Sequence, residues 1–108
     1  MILPTSKIFN SSALALENGG ELAELTVAYE TWGALNDAGD NAVLVSHGYT
    51  NNPHAAGDDK GWFQGLIGPG KAVDTGRYFV VAANLLGSSY GSTGPASPNP
   101  ETDQPYGL

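Results

Sequence analysis

His47-Gly48-Tyr49-Thr50 is the stretch of this chain whose residue types and setting come nearest to chemistry. It closes Asn41-Ala42-Val43-Leu44-Val45-Ser46, an apolar run without alternation, as expected of a parallel-sheet strand buried on both faces. Open α/β sheets place their sites at the carboxyl ends of such strands. Glycine at 48 lets the backbone approach a reacting group, and a backbone N–H in such a turn can stabilise a developing alkoxide. A plain strand-to-loop turn, with His47 making a structural hydrogen bond, stays open beside that reading.

The other candidates are weaker. His47, His54, Asp58 and Asp59 are spaced unlike any compact metal-ligand pattern and fall in a loop, so no metal site is expected. Gly87, Gly91 and Gly94 follow a second apolar run, but match neither G-x-G-x-x-G nor G-x-x-x-x-G-K-[ST]. Prolines stand where a phosphate-binding helix would start, so a rigid loop lining a pocket is the better expectation. Asp74 and Arg77 read as a surface ion pair, and Trp32, Trp62 and Phe63 as core or lid packing. Ser88, Ser89, Ser92 and Ser97 have no histidine base placed near them, and Gly-x-Ser-x-Gly is absent. The chain holds no recognisable nucleophile.

The elements that would position the turn at 47–50 are strands. Asn18-Gly19-Gly20 is a strong turn signal between Ser12–Glu17 and Leu22–Gly33, which predicts an antiparallel hairpin. Within its second arm Leu25, Val27, Tyr29 and Thr31 share one face, and Thr26, Ala28, Glu30 and Trp32 the other. Tyr78-Phe79-Val80-Val81-Ala82-Ala83 is a second apolar run, about 30 residues after the first, enough for a crossover that keeps the two parallel. Gly57–Leu66 has room for one short helix around Trp62 and Phe63.

The 108 residues carry 4 Lys+Arg against 11 Asp+Glu, a net charge of −7. That deficit argues against nucleic-acid partners and anionic membrane surfaces. No apolar run approaches the roughly 20 residues of a bilayer span, and Met1–Asn10 lacks an apolar core of signal-peptide length. With 0 cysteines there is no disulfide framework or thiolate metal site, and a cytoplasmic protein is the expectation. Two strands buried on both faces need helices on each side, and almost no amphipathic helix is offered. Residues 1–108 are therefore expected to be an incomplete N-terminal segment of one α/β domain, with a small β-rich domain as the alternative.

Several segments together resemble one family. Ala28-Tyr29-Glu30-Thr31-Trp32-Gly33-Ala34-Leu35-Asn36 is similar to the A-Y-E-T-[YW]-G-x-L-N segment of homoserine O-acetyltransferases. Asp40–Val45 with His47 and Thr50 is similar to their D-N-A-[VI]-L-V-x-H-A-L-T. Ile67–Thr75 with Arg77–Val80 resembles I-G-P-G-K-A-[IL]-D-T-x-[RK]-Y-F-V. Asn84, Leu86-Gly87, Gly91–Pro95 and Pro105–Gly107 resemble N-x-L-G…G-S-T-G-P…P-Y-G. The resemblance runs in order over residues 22–107.

It implies an α/β-hydrolase sheet, represented here by the N-terminal hairpin and two parallel strands and stopping before the nucleophile elbow. The implied activity is ping-pong transfer of acetyl from acetyl-CoA to homoserine through an acyl-serine, in methionine biosynthesis. Acetyl-CoA is then a co-substrate and no cofactor is held permanently. The Ser-His-Asp triad would lie downstream, leaving these residues inactive alone, and a homodimer of the longer parent is compatible with the resemblance. One catalytic element carries over: the backbone N–H of Tyr49, at the family's Leu position, as an oxyanion donor, with His47, Gly48 and Thr50 in the substrate pocket. His47-Gly48-Tyr49-Thr50-Asn51 departs from H-A-L-T-G and changes the pocket beside that donor. An ester or thioester hydrolase of the same superfamily, or a non-catalytic remnant or interaction segment, are the alternatives.

Overall fold

Glycines at 19 and 20 set the first structural event of the chain. In the computed structural model, which describes residues 1–107, both have left-handed φ values, +95° and +81°, and fold the chain back on itself. The hairpin so formed is longer than the two segments flanking the turn. Near its tip β2 (Leu14–Ala15) and β3 (Glu21–Leu22) pair for two residues each. Beyond an irregular stretch in both arms, β1 (Lys7–Ser11) pairs with β4 (Leu25–Trp32) in the same antiparallel register, Lys7 opposite Tyr29 and Ser11 opposite Leu25. The main partner of β4 is thus a strand upstream of Ser12, where the polar residues of Lys7–Ser11 hid the strand pattern from the sequence.

β5 (Ala42–Ser46) and β8 (Phe79–Ala83) are the two apolar runs, and they pair directly and in parallel, Ala42 opposite Phe79 and Ser46 opposite Ala83. β8 also pairs antiparallel with β4, giving a four-stranded sheet in the order β1-β4-β8-β5. The crossover between β5 and β8 carries a further small parallel pair, β6 (Ile67–Gly68) and β7 (Val73–Asp74).

The crossover covers one face of the sheet. Ala55, Ala56, Ile67, Val80 and Ala82 form a buried cluster, ringed by Trp32, Val45, Trp62, Phe63, Val73 and Tyr78. Ala28 and Glu30 of β4 are buried on the same side. On the opposite face Leu44 is 72% exposed and Phe9 54%. The shortage of helices has this consequence: the parallel strands are covered on one face only. The radius of gyration, 15.5 Å, exceeds the roughly 13 Å of a compact domain this long, as a sheet with one open face should.

Gly57–Leu66 does not form the expected helix; it is a series of turns. Its amides reach across the crossover, Trp62 N–H to His54 C=O (3.3 Å) and Phe63 N–H to Ala55 C=O (2.8 Å). A Cβ at Gly61 would lie 2.6 Å from the Ala56 Cα, so glycine there permits this close approach of two backbones. Asp74 and Arg77 also differ from expectation. The Asp74 carboxylate accepts the Gly70 and Gly76 N–H groups, each at 2.9 Å, and the Arg77 guanidinium lies 5.5 Å from the Tyr78 ring centre. A local turn satisfies Asp74 more readily than a flexible arginine does.

Candidate functional site

The parallel pairing of β5 and β8 brings the two segments that follow them side by side. His47 leaves the end of β5, and Asn84-Leu85 leaves the end of β8. The His47 ring, itself buried, joins them. Its Nδ1 lies 2.8 Å from the Gly48 carbonyl oxygen, and its Nε2 lies 3.0 Å from the Leu85 amide nitrogen. A carbonyl needs a donor and an N–H needs an acceptor, so the ring is neutral with its proton on Nδ1. Both nitrogens are engaged by backbone, which makes His47 a clamp between the two turns that wall the site.

Between those walls lies a cleft of about 510 Å³, lined by His47–Asn51 on one side and Leu85–Tyr90 on the other. His47, Gly48, Tyr49 and Thr50, the four residues singled out in the sequence, are all brought to it. The Tyr49 side chain is 96% exposed, and among the described residues the Tyr49 N–H has no acceptor. Thr50 holds a φ of +87°, a costly conformation for a β-branched residue, and the Asn51 N–H closes the turn onto the Gly48 C=O at 3.1 Å. A Cβ at Gly48 would meet nothing within 4 Å, so packing does not demand glycine there and the space beside the turn is open.

The opposite wall is held from beneath. The Ser88 hydroxyl donates to Asn84 Oδ1 (3.0 Å) and the Ser92 hydroxyl to the Asn84 C=O (2.6 Å). Ser92 Oγ also accepts the Ala28 N–H of β4 at 3.0 Å. Asn84 is buried, and its Nδ2 has no partner among the described residues. Gly87–Tyr90 lines the cleft as an irregular loop, and no helix follows it among the described residues.

A second constellation escaped the sequence. His54 Nδ1 lies 2.8 Å from Glu30 Oε1, and His54 Nε2 lies 2.7 Å from Asp58 Oδ1. Glu30 is 4% exposed, His54 13% and Asp58 51%. Burial opposes charge on His54, but the hydrogen bonds to Glu30 and Asp58 outweigh it and hold the imidazole pKa above its ordinary 6.5. The bond from His54, then that from the Lys60 N–H, holds the Asp58 carboxyl below its ordinary 3.8. With each nitrogen donating to a carboxylate, the ring has no lone pair for a metal, and no cluster suited to a metal ion occurs among the described residues. The four-residue spacing of His54 and Asp58 was legible; their meeting with Glu30, an acid in an apolar strand, was not.

The strand order and the parallel pair form part of an α/β-hydrolase sheet. No family model matches the chain. Its sequence is 57% identical over 104 residues to a homoserine O-acetyltransferase of Moorella thermoacetica, covering 91% of this chain and 28% of the relative. A serine O-succinyltransferase of Litchfieldella anticariensis is 55% identical over 94 residues, 83% of this chain and 26% of that one. Among solved structures, a homoserine O-acetyltransferase from Bacillus anthracis superposes with a TM-score of 0.87 at 37% identity, over 94% of this chain and 30% of that one. The esterase E22 superposes with a TM-score of 0.86 at 35% identity, over 95% and 31%. The chain is thus homologous to homoserine O-acetyltransferases and spans 23% to 30% of the length of those it matches. No helix among the described residues is long and apolar enough to cross a membrane.

Proposed function

We propose that residues 1–108 are the N-terminal segment of a single α/β-hydrolase domain that transfers an acyl group through an acyl-serine, as a homoserine O-acetyltransferase does. The observation that carries this is the unpaired Tyr49 N–H at the carboxyl end of β5, beside an open cleft. The relatives' names support the reaction class, acyl transfer to homoserine or serine oxygen. In this reading acetyl-CoA is the donor, homoserine or a similar hydroxyl compound the acceptor, and the product serves methionine biosynthesis.

In this reading a serine oxygen supplied by the rest of the domain attacks the thioester carbonyl, and the carbonyl oxygen becomes an oxyanion. The Tyr49 N–H donates a hydrogen bond to it. The carbon–sulfur bond then breaks, the thiol leaves with a proton, and the acyl-serine remains. The hydroxyl acceptor attacks that ester, the same N–H serves the second oxyanion, and the acyl–serine bond breaks as the acceptor's proton passes to the departing serine oxygen. His47 does not move a proton; it holds the Gly48 carbonyl and the Leu85 amide so that the two walls of the cleft stay in register. The Tyr49 and Thr50 side chains border the space into which acceptor or acyl chain fits, with Gly48 leaving it open. Ser88 and Ser89 line the cleft but have no histidine base among the described residues, so in this reading residues 1–108 by themselves transfer no acyl group.

The match to an esterase favours one second reading, hydrolysis, in which water takes the place of the hydroxyl acceptor. The two separate cleanly in the protein at its native length. Free CoA released from acetyl-CoA in proportion to added homoserine, with O-acetylhomoserine as product, is the expected result. CoA or acid released at a rate indifferent to homoserine would establish the hydrolase instead.

A further inference from the structure

The turn that presents Tyr49 has no side-chain anchor of its own: Tyr49 is exposed and Thr50 sits in a strained conformation. It is fixed only at its two ends. His47 holds the upstream end, and the downstream end runs through Asn51 and Asn52 into His54. There the Asn52 C=O accepts the Trp62 indole N–H at 2.8 Å, and Asn52 Oδ1 accepts the His54 N–H at 2.9 Å. Pro53, Ala55 and Ala56, on either side of His54, are buried. What joins this segment to the sheet by charge is the contact from the imidazole to Glu30 of β4, while its contact to Asp58 ties the ring to its own loop.

We infer that His54, held as an imidazolium between Glu30 of β4 and Asp58 of its own loop, is a positioning residue that pins the 51–58 segment to the sheet and thereby fixes the Tyr49 amide. Two short contacts from one ring to two carboxylates require a proton on each nitrogen. The groups facing the ring from each packed element are Glu30 on β4, Asp58 on the loop, and from the N-terminal segment the Thr5 hydroxyl, 3.4 Å from Nδ1. The Ser6 hydroxyl donates to the other oxygen of Glu30 at 3.5 Å, so the buried carboxylate faces no Lys or Arg among its contacts and His54 is its cationic partner. Loss of the ring proton leaves Glu30 buried without a cation and frees the segment.

The link to catalysis rests on the proposed acyl transfer, but the latch itself is testable without it. In the native-length protein, imidazole NMR should show His54 titrating above 6.5, and exchange of the hydrogen-bonded amides of Asn51, His54 and Ala55 should speed up, relative to β8, once that titration passes. Glu30→Gln should lower the His54 midpoint and raise exchange of those amides about tenfold at neutral pH, the smaller end of losing one charge-assisted hydrogen bond. Asp58→Asn, at a half-exposed position, should do the same more weakly and serves if Glu30→Gln fails to fold. Where acyl transfer is present, kcat should fall on the alkaline side in step with His54 while KM stays unchanged, and Asp58→Asn should move that limb to lower pH. A His54 midpoint at or below 6.5, exchange at Asn51, His54 and Ala55 indifferent to both variants, or an alkaline limb unmoved by Asp58→Asn would overturn the inference. Absence of any acyl transfer with the NMR and exchange results intact would refute the proposed function and leave the latch standing.

Discussion

His47 and His54 stand seven positions apart and do opposite things. His47 faces backbone groups, one acceptor and one donor, and must be neutral to satisfy both. His54 faces two carboxylates and must be charged to satisfy both. The region around His47 is an open turn whose residues are exposed and whose amide is unpaired. The region around His54 is closed over Ala55, Ala56 and Ile67 and carries part of the core. A single residue type is thus turned into a shape-fixing clamp or a charged latch by the hydrogen-bonding partners that the chain brings to it. In the proposed reaction, substrate uses the open region and the closed region keeps that region in place.

The strongest way to break this contrast is to remove His54. His54→Ala leaves the Glu30 carboxylate buried and unpaired, and a loss of about 3–5 kcal/mol is expected in chemical unfolding. His47→Phe orphans the Leu85 N–H beside a water-accessible cleft and leaves the Gly48 C=O to the Asn51 N–H alone, so a smaller loss of about 1–3 kcal/mol is expected. Equal losses would mean that the two regions are not distinguished by charge.

The next largest effect is on rate. Tyr49→Pro removes the candidate oxyanion donor and should lower kcat of the native-length enzyme by about 10²–10³-fold. Tyr49→Ala keeps the N–H and should keep kcat within about tenfold of that enzyme, because the fully exposed side chain is not part of the fold. A full rate in Tyr49→Pro would remove the turn from the chemistry.

Two glycines sharpen the comparison further. Gly61→Ala forces a Cβ to within 2.6 Å of the Ala56 Cα and should destabilise by about 1–3 kcal/mol. Gly48→Ala meets nothing within 4 Å and should change stability by less than about 0.5 kcal/mol. Melting curves of the pair decide whether the open and closed regions differ in packing as well as in charge.

Much of this architecture was legible in the chain. The period-2 run at 25–32, the unalternating runs at 42–46 and 79–83, and Asn18-Gly19-Gly20 are local signals, and each became the strand or turn that local physics dictates. The cleft at 47–50 was legible for the same reason, since a strand end is read from the strand before it. What stayed hidden depends on contacts distant in sequence. Lys7–Ser11 is a strand because β4 pairs with it, not because its own residues favour one. Trp62 and Phe63 occupy turns because Gly61 lets the chain press on Ala56, a contact that helical spacing does not report. Glu30 shares a face with Thr26, Ala28 and Trp32 in the alternating strand, and nothing in that pattern reports that the crossover folds His54 over it.

The smallest expected effect is the pH dependence that this burial creates, and its sign is fixed. The folded-state pKa of His54 lies above 6.5, so its contribution to stability is complete below about 6.5 and is lost as pH rises through the higher folded value. The folded-state pKa of Asp58 lies below 3.8, so its contribution is present above about 3.8 and fades as pH falls through the lower folded value. Asp58 is solvent-exposed, and water screening makes the acid limb shallow. Unfolding free energy measured across this range should therefore decline on the alkaline side. His54→Gln, which keeps a polar side chain near Glu30 without a titrating proton, should flatten that decline at the cost of a lower plateau. A decline that persists unchanged in His54→Gln would assign the alkaline sensitivity to another group and dissolve the distinction between a charged latch and a neutral clamp.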